Sequence, residues 1–298
     1  MTARNFPLCA ELQPPFTIFS PSEQTAPFVL CSPHSGRIYP RAFLEQSRLD
    51  PQTLRKSEDC FVDELFQGAA DLGVPMIAAQ FPRAYLDVNR EPYELDPELF
   101  ADPLPDYANS QSVRVIGGLG TIARIVADGE EIYDQQLHVE EALARIQQLY
   151  FPFHTALQGL VEETKARFGY AILIDCHSMP SAQMAQSHGP RPDFVLGDRF
   201  GTACDPKLTR FIRDTLVQEG YDVKLNRPYA GGYITESYGR PYRGVQALQM
   251  EINRALYLDE ARFTRSAGFA RLKRDLTCLA ETLFSAFPAI IAQRDAAE

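Results

Sequence analysis

Two histidines of this chain stand close to the ends of short apolar runs that predict strands. His34 follows the run at 28–31, and His177 follows the run at 171–174. Glu251 lies inside a third apolar run, where a carboxylate must be paired, bound to a metal or protonated because burying a lone charge is costly. Polar residues at the carboxyl ends of strands in an α/β sheet meet in one crevice. Two imidazoles and a carboxylate there predict a metal hydrolase, with Glu251 as the general base.

The sequence offers two candidates for a third metal ligand beside the two histidines. A catalytic zinc site commonly takes two histidines and one carboxylate from the protein. Arg37 stands three residues after His34, so no HxxE pair supplies that carboxylate. Glu58 and Asp59 are the candidates, although acidic residues at the start of a helix also serve simply to complement its dipole. We favour Asp59 because a shorter side chain suits a rigid ligand position, and Glu58 is the alternative.

Asp175 precedes His177 by two residues, which places both side chains on the same side of a strand. A carboxylate in that position can fix the tautomer and orientation of a metal-binding imidazole. The alternative is a core histidine whose polar ring is satisfied by Asp175 alone. Cys176 points to the opposite side, which argues against a cysteine–histidine nucleophilic pair.

An arginine-rich segment, 83–90, could recognise an anionic substrate. It ends in Asn89 and Arg90, and a guanidinium group binds a carboxylate through two parallel hydrogen bonds. The alternative is a set of surface arginines paired with Asp87 and Glu91, and Arg254 could simply neutralise Glu251. The candidates for a second carboxylate are Arg83, Arg243 and Arg254.

Composition excludes several classes of protein. The chain has 298 residues and a net charge of −10, which argues against nucleic-acid binding. Six cysteines without a CxxC pair are typical of reduced thiols. No apolar segment is long enough for a membrane span or a secretory leader, so we expect a cytoplasmic protein with no membrane partner. No GxSxG elbow of a serine hydrolase occurs. The glycine run at 117–120 fits the spacing of neither the Walker A loop nor the dinucleotide-binding fingerprint.

Strand and helix patterns alternate along the whole chain, without a linker. This alternation predicts an α/β fold, a three-layer α/β/α sandwich with a mixed central sheet, as a single domain over residues 1–298. The expected strands are 28–31, 75–79, 84–88, 119–126, 171–174, 194–196, 221–225 and 245–252. The expected helices are 58–72, 135–168 with a break at Phe151–Pro152, 206–219 and 260–284. A long loop is expected at 91–108.

Seven motifs in the same order resemble those of the N-formylglutamate amidohydrolase family, and the resemblance extends roughly from Phe28 to Tyr257. They are Pro33-His34-Ser35-Gly36, Ser57-Glu58-Asp59, Asp87-Val88-Asn89-Arg90, Asp175-Cys176-His177-Ser178, Tyr229-Ala230-Gly231-Gly232-Tyr233-Ile234, Tyr238-Gly239-Arg240-Pro241 and Ala247-Leu248-Gln249-Met250-Glu251.

The resemblance implies a zinc-carboxypeptidase-like (phosphorylase/hydrolase-like) fold and the hydrolysis of N-formyl-L-glutamate to glutamate and formate, a late step of bacterial histidine degradation. It implies that zinc is held by His34, His177 and either Asp59 or Glu58, with Glu251 as the base. By the same resemblance Asn89 and Arg90 hold the substrate carboxylate. Arg83 polarises the scissile carbonyl or holds the side-chain carboxylate of the substrate. Arg254 is a further candidate for binding that carboxylate.

Two other functions stay open at this point, because function resides in the site and not in the fold. The first is a zinc-dependent deacylase or carboxypeptidase acting on another small N-acyl amino acid. The second is a non-catalytic binder of an anionic amino acid, which would need Arg90 but would have no use for Glu251. In each case the expected partner is a small anionic molecule, and the sequence leaves a homo-oligomer open.

Overall fold

The computed structural model describes residues 10–126, 129–181 and 192–295, with side chains up to residue 286. The strands among them are β1 (Phe16–Phe19), β2 (Phe28–Ser32), β3 (Met76–Ala79), β4 (Ala171–Met179), β5 (Phe194–Gly197), β6 (Val223–Leu225), β7 (Val245–Asn253), β8 (Leu258–Asp259) and β9 (Thr264–Arg265). The α-helices are α1 (Arg41–Gln46), α2 (Pro51–Leu54), α3 (Val62–Asp71), α4 (Val113–Ile116), α5 (Val139–Arg145), α6 (Phe151–Phe168), α7 (Pro206–Gln218), α8 (Tyr233–Tyr238) and α9 (Phe269–Asp295).

A seven-stranded sheet forms the centre of the fold, in the order β1-β3-β2-β4-β7-β5-β6. Strands β2, β4 and β7 are parallel, whereas β5 runs antiparallel to β7. The strands β2 and β4 are buried along their whole length, which explains their nearly continuous apolar sequences. The sheet is mixed and carries helices on both sides, so the predicted α/β fold class is confirmed.

The described residues group into two compact units, each built from three segments of the chain. The first unit takes residues 10–17, 33–60 and 78–158; in its core Phe43 packs against Tyr85 and Tyr133. The second unit takes residues 18–32, 61–77 and 159–295, and there α3 packs against α9. The single domain expected from the sequence stays a prediction.

The helix expected at 58–72 begins later than predicted. Helix α3 starts at Val62 because Phe61 adopts a left-handed conformation with φ of 60°, which interrupts the helical path. Glu58 and Asp59 therefore lie in the loop before the helix. The predicted end is close, since α3 stops at Asp71 and Gly73 takes a φ of 102°.

Two predicted strands are absent from the described structure. The segment at 84–88 forms turns, because the amides of Tyr85 and Leu86 bond to the carbonyl of Pro82 rather than to a neighbouring strand. The segment at 119–126 is irregular, with a lone bridge from Ile125 to Glu131. Apolar residues of both segments, such as Leu86 and Ile122, are buried nonetheless, so these segments have the burial of a strand without its pairing.

Two further predicted helices begin later in the structure than in the prediction. The helix predicted at 135–168 begins at Val139 and does not break: the π-helical turn Ile146–Tyr150 precedes Pro152, whose ring nitrogen has no proton to donate. The C-terminal helix starts at Phe269 rather than at 260, because β8 and β9 form a hairpin first. No helix within the described residues is long and apolar enough to cross a membrane.

Candidate functional site

His34 is buried at the turn that follows β2, and its ring is held by Asp87. The Nε2 atom of His34 lies 2.7 Å from Oδ1 of Asp87. A carboxylate on Nε2 places the proton there and leaves the Nδ1 lone pair for a ligand. Gly36 lets the turn form, because a Cβ there would lie 2.0 Å from the carbonyl oxygen of Phe81.

Asp59, and not Glu58, faces the Nδ1 side of this ring. The Oδ2 atom of Asp59 lies 3.5 Å from Nδ1 of His34, and the backbone amide of Asp59 donates to the carbonyl of His34. Glu58 instead accepts two hydrogen bonds from Arg55, at 2.9 and 3.1 Å, and one from the hydroxyl of Tyr39. The carboxylate of Glu58 is therefore engaged elsewhere.

Asp87 contacts both the histidine and the arginines of this loop, a position that the sequence analysis did not single out. Burial by itself raises the pKa of its carboxyl, but Arg83, Arg90 and His34 together hold the pKa well below its usual range. Arg83 approaches to 2.7 Å, and the backbone amide of Asn89 donates at 2.8 Å. Asp87 is thus a permanent acceptor that joins the histidine to the arginines.

Arg90 is held mainly by backbone carbonyls. Its Nε donates to Leu119 at 2.8 Å and its Nη1 to Asn89 at 2.9 Å, while Nη2 lies 3.5 Å from Asp87. Burial lowers the pKa of Arg90 to about 10, so the group stays charged at neutral pH. These contacts fix the guanidinium plane and leave some of its five N–H groups for an anion.

The second histidine lies within β4 rather than after it. As the alternation predicts, Asp175 lies on the same side as His177, with Oδ1 of the carboxylate 3.0 Å from Nε2 of the ring. The thiol of Cys176 is buried, and burial together with the charge of Asp175 raises its pKa well above the usual value. A thiolate nucleophile is therefore disfavoured at this position.

Glu251 lies beside His177, because the two residues are direct partners in the parallel pairing of β4 with β7. Gln249 donates from Nε2 to Oε1 of Glu251 at 2.8 Å, and its own Oε1 accepts from the amide of Gly232 at 2.6 Å. The sequence analysis missed Gln249. The same two-residue spacing that links Asp175 to His177 would have identified it.

The remaining two arginines behave differently from one another. Arg254 is buried just after β7 and donates from Nε to the hydroxyl of Ser178 at 3.1 Å. Arg243 is exposed and precedes β7, whereas Glu251 lies near the carboxyl end of that strand. A strand's length therefore separates Arg243 from Glu251, and a role of Arg243 in holding a substrate carboxylate stays a prediction.

His34, Asp59 and His177 form a buried group that could hold a metal ion. Each offers one ligand atom, and these atoms all lie within 4.8 Å of one another. Ligands that share a tetrahedral zinc ion at ordinary bond lengths lie about 3.4 Å apart. The 3.5 Å between His34 and Asp59 matches that spacing. Two imidazoles and one carboxylate form a donor set that suits a divalent transition metal.

Three comparisons with known proteins each match this chain over most of its length. The sequence profile of the FGase family, N-formylglutamate amidohydrolase, matches residues 26–258. An N-formylglutamate deformylase of Pseudomonas aeruginosa is 30% identical over 83% of this chain and 88% of its own. The crystal structure of N-formylglutamate amidohydrolase from Ralstonia eutropha JMP134 is 38% identical, covers 91% of this chain and 97% of its own, and superimposes with a TM-score of 0.86. A gene product of Agrobacterium tumefaciens, Atu2144, shares the fold at 16% identity over 92% of this chain and 96% of its own, with a TM-score of 0.68.

Proposed function

Since the chain belongs to the N-formylglutamate amidohydrolase family, we propose that it hydrolyses N-formyl-L-glutamate to L-glutamate and formate with zinc as its cofactor. The observation that carries the proposal is the buried group of His34, Asp59 and His177, in which two imidazoles and a carboxylate converge. The names of the relatives support the substrate, and the donor set supports the metal.

His34, Asp59 and His177 would hold the zinc ion. When bound, the ion would act as a Lewis acid that activates the attacking water and polarises the formyl carbonyl. Asp87 and Asp175 would each hold one imidazole in the orientation that binding needs, since each contacts a ring nitrogen of its histidine.

Glu251 is the base in this proposal. Its carboxylate takes a proton from the attacking water as the new bond forms between oxygen and the formyl carbon. The same proton then passes to the glutamate nitrogen as the C–N bond breaks, which restores the carboxylate of Glu251 and releases glutamate and formic acid. The formic acid loses the second proton of the water to solvent and becomes formate. Gln249 fixes the plane of that carboxylate through its hydrogen bond to Oε1.

Recognition must come largely from the carboxylates of the substrate, because a formyl group offers little surface. Arg90, pinned by two backbone carbonyls, and Asn89 are the proposed ligands of the α-carboxylate. Arg83 either polarises the scissile carbonyl or, together with Arg254, contacts the side chain of the substrate. A cytoplasmic location and a role in histidine degradation stay predictions from the sequence and the family resemblance.

The test is formate release from N-formyl-L-glutamate by purified, zinc-loaded protein, with N-acetyl-L-glutamate and N-formyl-L-aspartate beside it. Selective release from formylglutamate supports the proposal. Selective turnover of another compound assigns the zinc site to a different acylamino acid. Binding without turnover of any of them would favour a non-catalytic binder.

Metal content measured by mass spectrometry tests the zinc site independently of activity. His34→Ala and His177→Ala should each lose the bound zinc. His138→Ala is the matched control, because His138 also pairs with an aspartate, Asp102, but at the exposed surface. Zinc retained in both of the first two variants would contradict the proposed ligands.

A further inference from the structure

Arg114 lies on the short surface helix α4, in which Val115 is buried and two other apolar residues are exposed. On α4, Val113 is 87% exposed and Ile116 70%, whereas the side chain of Arg114 is only 34% exposed. A surface helix ordinarily buries its apolar residues and exposes its charges. On α4 the Arg114 side chain is therefore more covered than Val113 and Ile116, and its guanidinium faces the buried carboxylate of Glu94.

A short path of hydrogen bonds connects Arg114 to Arg90. The amide of Leu119 donates to the carbonyl of Arg114 at 2.8 Å, and the carbonyl of Leu119 accepts from Nε of Arg90 at 2.8 Å. Gly120 allows this turn to pack closely, since a Cβ there would lie 2.3 Å from the carbonyl oxygen of Glu94. The glycine run at 117–120, which fits no nucleotide-binding motif, thus builds the turn between the two arginines.

Three guanidinium groups therefore lie near two buried carboxylates, those of Asp87 and Glu94. Burial is the largest cause of the lowered pKa of Arg90; the charges of Asp87 and Glu94 raise this pKa, whereas those of Arg83 and Arg114 lower it further. The local excess of positive charge would be relieved by a bound anion.

The donors of the two arginines differ in how far the protein already uses them. Arg90 gives hydrogen bonds to the carbonyls of Leu119 and Asn89. Within the part of the chain that the structure describes, the Arg114 side chain pairs with Glu94, whose Oε2 lies 3.7 Å from Nη1. That distance exceeds a hydrogen bond, so the Arg114 fork keeps its donors for a ligand.

We propose that Arg114 binds the side-chain carboxylate of the substrate, while Arg90 binds its α-carboxylate. A dicarboxylic substrate needs two cationic positions, and these two arginines are joined through one intervening residue. The inference rests on the proposed function for the identity of the substrate. It adds the residue that distinguishes glutamate from an uncharged side chain of the same shape.

The test compares N-formyl-L-glutamate with N-formyl-L-glutamine, which replaces the side-chain carboxylate with an amide. For Arg114→Met, kcat/KM should fall about 10- to 100-fold for the glutamate compound, the loss expected for a charge-assisted hydrogen bond. The value for the glutamine compound should change by less than about 3-fold, because a neutral amide gains little from the charge. Arg48→Met is the control, since Arg48 is an exposed arginine that pairs with Glu131 and Asp134, and it should change neither value.

Equal losses for both compounds, or no loss for either, would overturn the assignment of Arg114. Arg114→Lys should recover part of the preference for glutamate, because it keeps the charge but loses the fork. Calorimetric binding of L-glutamate and L-glutamine to the zinc-loaded protein separates this inference from the proposed reaction. If the wild type hydrolyses neither formyl compound, the proposed function fails. A selective loss of L-glutamate binding in Arg114→Met would still support the role of Arg114, and unchanged binding would refute it.

Discussion

The two histidines belong to regions that hold their side chains by different means. His177, Asp175, Gln249 and Glu251 lie on β4 and β7, where a register of nine paired residues sets their positions; we call this the strand region. His34, Asp59, Arg83, Asp87 and Arg90 lie in turns and loops, where ion pairs and single hydrogen bonds hold them; we call this the loop region. A substitution in the strand region should therefore act on one function, and one in the loop region on several.

The largest expected effect in the strand region is that of Glu251→Gln. Loss of the base should lower kcat by about 10²- to 10⁴-fold, while substrate affinity and zinc content stay near the wild-type values. Formate release at saturating substrate measures kcat, and metal analysis of the same sample serves as the control. A kcat within 3-fold of the wild type would remove Glu251 from the mechanism.

The pair Asp87→Asn and Asp175→Asn compares the two regions directly, because each aspartate contacts one histidine. Both variants should lower zinc affinity by about 10- to 100-fold, measured by competition with a chelator. Only Asp87→Asn should also weaken the binding of substrate carboxylates, since Asp87 contacts Arg83 and Arg90 as well.

Binding of L-glutamate to both variants at saturating zinc decides between the outcomes. Equal weakening in the two variants would contradict the distinction between a strand region and a loop region. Melting temperatures are the control, because an ion removed from a buried cluster also destabilises the folded state.

Gln249→Leu tests whether positioning within the strand region affects catalysis alone. The variant keeps Glu251 but removes its hydrogen bond at Oε1, so kcat should fall by about 10-fold with little change in KM. Gln246→Leu is the matched control on the same strand, because the side-chain oxygen Oε1 of Gln246 accepts a hydrogen bond from the backbone N–H of Asp205 instead. A loss of KM rather than kcat in Gln249→Leu would assign Gln249 to substrate binding.

The same contrast decides how far the sequence could predict the site. In the strand region the two-residue period placed Asp175 beside His177, and apolar runs located β4 and β7 within a few residues. That period is a local property of the backbone, so it can be read from neighbouring residues alone.

In the loop region the residue types were recognisable but their placement was not. The helix expected at 58–72 begins only after Phe61, because Phe61 has a left-handed conformation. No apolar pattern in the sequence indicates that conformation. The contact between His34 and Asp87 joins residues that lie 53 positions apart in the chain. It depends on turns such as the one in which the carbonyl of Pro82 accepts hydrogen bonds from the amides of Tyr85 and Leu86. Hydrogen bonds between distant parts of the chain determine which side chains meet in the loop region. These bonds leave no periodic pattern in the sequence.

Arg243→Ala is expected to have the smallest effect, and it tests the limit of the strand region. The side chain lies before β7 and stacks loosely on the ring of Tyr242, with 5.6 Å from its guanidinium carbon to the ring centroid. Because Glu251 lies near the other end of that strand, kcat/KM for N-formyl-L-glutamate should change by less than about 2-fold, and stability by less than about 0.5 kcal/mol. The comparison is with Arg254→Ala, whose buried guanidinium bonds to Ser178 and whose loss should impair both quantities. A substrate-specific rise in KM for Arg243→Ala would show that anion recognition extends beyond the carboxyl ends of the strands, and the argument from strand direction would then have to be abandoned.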